Sequence, residues 1–103
     1  MSMTFAIDPA LRELIEKKGR RNIVVDVVTA DHSDFDVTEL HVFLVSDRHA
    51  GNLIKEKNFH PKQAGDDITV LLPNYRLEYD ETITFGVKKV LWFTVLTHGG
   101  IHL

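Results

Sequence analysis

The stretch Ile68–Thr97, ITVLLPNYRLEYDETITFGVKKVLWFTVLT, decides the fold, because nearly all of it reads as strand. Val70 and Leu72 alternate with Thr69 and Leu71, and after a break at Pro73-Asn74 the residues Tyr75, Leu77 and Tyr79 alternate with Arg76, Glu78 and Asp80. Ile83, Phe85 and Val87 then alternate with Thr82, Thr84 and Gly86. A period of two in β-branched and aromatic residues marks strands with one face on a core. The run Val90-Leu91-Trp92-Phe93 is apolar without a break, which predicts a strand covered on both faces.

Working outward, the N-terminal third supplies a helix. Asp8 is placed to cap it, Pro9 fills the first turn, Leu11, Leu14 and Ile15 form one apolar stripe, and Gly19 offers a left-handed stop. Met1 to Ala6 before it reads as a frayed end or a short edge strand. Asn22 to Ala30 is a predicted strand with Ile23, Val25 and Val27 on one face, and Leu40 to Ser46 is the next. Asp31 to Thr38 between them is a polar loop. A turn is expected at Asp47 to Asn52, and Leu53 to Asp67, rich in Lys, Asn, His, Pro and Gly, reads as an irregular crossover rather than a helix. The expected fold class is therefore mainly β, α+β by content: one small domain over residues 1–103, with five to seven short strands and one N-terminal helix.

At 103 residues the chain can build one modest core. Self-association into a homodimer would bury further apolar surface. Twelve basic and fifteen acidic residues give a formal charge of -3, so a basic face for a nucleic-acid backbone is not expected. The basic run Lys17, Lys18, Arg20 and Arg21 falls where cations complement a helix C-terminus. The chain has no cysteine, which removes disulfides, thiolate chemistry and cysteine-bound clusters. No leader or membrane-spanning segment is legible, so a cytoplasmic protein without a membrane partner is expected.

Six histidines raise the question of a metal. His32, Asp34 and Asp36 place imidazole and carboxylates in one loop, a donor set suited to zinc or iron. Asp31 and Ser33 beside them are also ordinary turn formers. His98 and His102 are four apart, a ligand spacing on a helix, but Gly99-Gly100 between them argues for a flexible tail. His41, between Leu40 and Val42, is expected to be buried or half-buried, while His49 and His60 fall in loops. Asp66-Asp67 and Asp80-Glu81 are expected in solvated turns. Trp92, Phe93, Phe85 and Tyr79 fit core packing or a pocket wall. No nucleophile elbow or phosphate loop is present, so catalytic residues and an organic cofactor are not expected.

Three strings, IDPALRELIEKKG at Ile7–Gly19, NIVVDVV at Asn22–Val28 and YRLEYDETITFGVKKVLWFTVLTHGGI at Tyr75–Ile101, together resemble the HesB/IscA-like proteins, the A-type iron–sulfur carriers. The closer likeness is to a branch marked by a Cys-Cys or Cys-selenocysteine pair. The resemblance implies a HesB-like small β domain. It does not carry over the family's cluster or redox chemistry, because the paired position reads Ala30-Asp31-His32-Ser33-Asp34 and the C-terminus reads His98-Gly99-Gly100-Ile101-His102. The expected role is a binding or accessory protein with an unknown protein partner. A divalent-metal-binding protein using His32, Asp34, Asp36, His98 and His102 is the alternative.

Overall fold

The computed structural model describes residues 3–31, 36–65 and 67–103, with the side chains at 30, 31, 36 and 37 left aside. The elements run β1 (Thr4–Ile7), α1 (Pro9–Lys18), β2 (Asn22–Asp31), β3 (Asp36–Val45), α2 (Asp47–Lys57), β4 (His60–Gln63), β5 (Thr69–Leu72), β6 (Glu78–Val90) and β7 (Phe93–His102). The fold is mainly β. β1, β6 and β7 form one sheet in that order, and β3, β2, β5 and β4 form the other. Each sheet is mixed: β1 runs parallel to β6 and β2 parallel to β5, whereas the remaining pairs are antiparallel.

The first helix follows its sequence signals. The Asp8 side chain accepts the Ala10 N–H at 3.1 Å, Pro9 opens the first turn, and Gly19 closes the helix at φ 65. The Asp8 backbone N–H also donates to the Phe85 carbonyl at 2.9 Å, which ties the helix start to β6. Leu11 and Ile15 are thereby buried in the main core with Ile23, Val25, Val70, Ile83 and Phe85. Phe5 stacks on Phe85 with ring centroids 6.4 Å apart, so β1 is an ordered edge strand.

Asp47–Lys57 is a helix, where the sequence predicted a turn and an irregular crossover. Ser46 caps it by accepting the His49 N–H at 3.3 Å. Asn58 ends it in the left-handed conformation at φ 57, and the Phe59 N–H returns to the Leu53 carbonyl. α2 covers the outer face of β2 and β5 through a second core of Val24, Val45, Ala50, Phe59 and Leu71. Ile23, Val24 and Val25 are consequently all buried, with β2 covered on both faces. The asparagine beginning that strand is satisfied: Asn22 Nδ2 donates to Asp47 Oδ1 at 2.9 Å and to the Val45 carbonyl at 3.3 Å.

The β2–β3 pairing extends to Asp31 opposite Asp36, deeper into the predicted polar loop than the sequence suggested. At the other end, β6 begins only at Glu78, so Tyr75 and Leu77 precede the strand. Asp80 and Glu81 lie within β6 rather than in a turn, beside a register shift between Tyr79 and Thr84. β7 continues to His102, so the predicted tail is strand. Gly100 allows this at φ 84, where a Cβ would collide with the Thr82 carbonyl.

Candidate functional site

The run Val90–Phe93 is not a covered strand. Val90 pairs with Phe93, and Leu91 and Trp92 form the two-residue turn of the β6–β7 hairpin. Leu91 is 79 % exposed, Trp92 82 %, Phe93 59 % and Val90 43 %. The Trp92 and Phe93 rings lie side by side, with centroids 6.0 Å apart. Turns of this length favour glycine or asparagine at positive φ. Here Leu91 takes φ 56, a conformation that costs a side-chain-bearing residue about 1–2 kcal/mol. Strain and apolar exposure thus coincide at one point, without burial within the chain to offset either.

Cations gather behind this tip. Lys88 and Lys89 are exposed and point to opposite faces of β6, opposite Val95 and Thr94. Lys17, in the last turn of α1, lines one hollow of about 330 Å³ with Lys88 and Lys89, and Glu13 is the acidic residue in its wall. None of Lys17, Lys18, Lys88 and Lys89 forms an ion pair among the described residues. By contrast, Arg21 is engaged, with Nε and a terminal nitrogen each 3.1 Å from the Asp47 carboxylate. Hydrogen bonds from Arg21 and then Asn22 hold the Asp47 carboxyl below its ordinary value of 3.8.

Beside the tip runs an open groove of about 490 Å³ between β3 and β7, the edge strands of the two sheets. Leu40, Val42 and Leu96 form its apolar floor, and Lys18, Arg20 and His41 contribute its polar part. A second open hollow, of about 510 Å³, carries His60, Lys62 and Arg76 with Tyr75 and Tyr79. Burial raises the Tyr79 phenol above its ordinary value. Among the described residues no carboxylate lines this hollow.

The predicted metal residues distribute as follows. His32 and Asp34 lie outside the described residues, as does the side chain of Asp36. His98 and His102 are exposed on β7, opposite Phe85 and Glu78. His102 Nε2 lies 3.2 Å from Asp80 Oδ1. Among the described residues, three or more His, Asp or Glu side chains do not converge as a metal site. His41 is exposed rather than buried, because Leu40, Val42 and Leu44 take the inward face of β3, and its Nε2 lies 3.2 Å from Glu39 Oε2. His49 is exposed in α2 and His60 in β4. Of the four aromatics, Phe85 is core, Tyr79 is half-buried, and Trp92 and Phe93 face water.

The tip is hidden in the sequence by the apolar composition of Val90–Phe93, and its one signal is that the alternation Ile83, Phe85, Val87 ends at Lys88-Lys89 before β7 begins at Phe93. Comparison with known proteins adds no relative: no family model, curated protein or solved structure matches the chain.

Proposed function

We propose that this chain is a small binding or accessory protein of HesB-like architecture that acts by docking through its β6–β7 hairpin tip. The observation that carries the reading is the exposed Leu91-Trp92-Phe93 apex, with Leu91 held at positive φ. Strained backbone and unburied aromatics lower the stability of a monomer, and both features cluster where proteins meet other surfaces. Support for the architecture comes from the three HesB-like strings and from a mainly β chain of two mixed sheets. The cations Lys17, Lys88 and Lys89 around the tip favour an acidic counterpart.

A photoreactive phenylalanine analogue at position 93, compared with one at exposed position 55 on α2, tests this in expressing cells. Docking predicts light-dependent adducts at position 93 well above those at position 55. Equal or absent adducts at both positions would remove the reading.

A further inference from the structure

We infer that the hairpin tip docks on an anionic lipid bilayer surface; the inference rests on the docking reading and names its occupant. No helix among the described residues is long and apolar enough to cross a membrane, but a surface contact needs none. Leu91, Trp92 and Phe93 stand at the end of a two-stranded ribbon, so they can enter a bilayer interface while the body of the fold stays outside. Tryptophan and phenylalanine suit that depth, where an apolar ring meets a hydrated boundary. Lys88 and Lys89 follow two to three residues behind Leu91. At about 3.3 Å per residue they sit roughly 7–10 Å back along the ribbon. An interfacial apolar face sinks about 5–10 Å, which brings the two ammonium groups to the level of lipid phosphates.

The surrounding charge selects among occupants. Lys17 shares the hollow beside Lys88 and Lys89, and Lys18 and Arg20 line the adjoining groove with Thr94 and Val95. Five cations therefore line the two hollows that flank the hairpin behind its apex, on a chain whose formal charge is -3, with Glu13 as the acidic group in the same walls. Each Lys or Arg held near an anionic bilayer surface adds about 1 kcal/mol of attraction, so these cations favour anionic headgroups. A second copy is disfavoured at this face. In a two-fold contact each patch meets its own equivalent, which would set these cations against one another.

Trp92 is the single tryptophan, so its emission reports the tip alone. The whole chain is titrated with vesicles of phosphatidylcholine, and of phosphatidylcholine with phosphatidylglycerol, at low and high salt. The expected result is a blue shift with the anionic vesicles, reversed by salt and weak with the neutral ones. Each lysine near the surface contributes about fivefold in affinity, so K88Q/K89Q weakens binding about 25-fold. W92S, followed by co-sedimentation and shown folded by circular dichroism, loses binding. Absent binding to anionic vesicles, equal binding to neutral ones, or an unaffected K88Q/K89Q variant overturns the inference. Vesicle failure with position-93 protein adducts intact leaves docking in place with an acidic protein as the counterpart. Failure of both removes the docking reading as well.

Discussion

Replacing Leu91 with glycine should stabilise the protein. Leu91 holds φ 56, and the left-handed region costs a non-glycine residue about 1–2 kcal/mol. Glycine adopts it freely but loses more chain entropy on folding, at about 0.5–1 kcal/mol. At 79 % exposure the leucine side chain contributes little burial that glycine would forfeit. The balance spans about 0–1.5 kcal/mol of gain, centred at about 0.8 kcal/mol. For a domain near this size, 1 kcal/mol moves the melting temperature by about 4–8 °C, so L91G should melt about 2–8 °C higher. Thermal and urea melts of the two proteins, at concentrations low enough to exclude association, measure this. The same variant should dock less well, since it loses an apolar contact at the apex. A lower melting temperature for L91G would mean instead that Leu91 packs within the fold.

Three further outcomes follow from the structure. G100A should destabilise by about 3 kcal/mol, because φ 84 strains a Cβ and that Cβ meets the Thr82 carbonyl; urea unfolding reads the change. F59A should cost about 3–5 kcal/mol by emptying the core beneath α2, and hydrogen exchange should then show α2 opening ahead of β2. The Asp47 carboxyl is held below 3.8 by hydrogen bonds from Arg21 and Asn22, so its contribution is present above that value and lost as pH falls through the depressed folded one. Melting of the parent should therefore drop more steeply below about pH 4 than melting of D47N, with the two profiles converging in acid.

The first helix was legible because its information is local. Asp8, Pro9 and Gly19 state its ends, and Leu11 and Ile15 carry the face that is buried. β2 and β3 were legible for a similar reason, since alternation in Leu40, Val42 and Leu44 survives into the register of the sheet. α2 was not legible. Its only buried side chain is Ala50, Gly51 interrupts it, and Ile54 remains 37 % exposed, so an apolar stripe hardly exists. The helix is instead held at its ends and against Val24 and Leu71, which arrive from β2 and β5, and against Val45 at the end of the preceding strand. The tip failed in the opposite direction. Val90-Leu91-Trp92-Phe93 carries strand composition and no turn residue, so local propensity points to burial while the hairpin register turns it outward. Gly99-Gly100 made the stretch between His98 and His102 read as a flexible tail, yet β7 runs through it to His102, with Gly100 at φ 84.

The most direct measurement is the fluorescence of Trp92 in the free protein, with acrylamide quenching over a wide range of protein concentration. Emission and quenching should lie close to those of a free tryptophan amide and stay unchanged by dilution, since Trp92 is exposed within its own chain and the proposed docking leaves no second copy on it. Blue-shifted emission with strong shielding would contradict it. Shielding at every concentration would place the ring inside the fold, and shielding that fades on dilution would make the tip a homodimer interface.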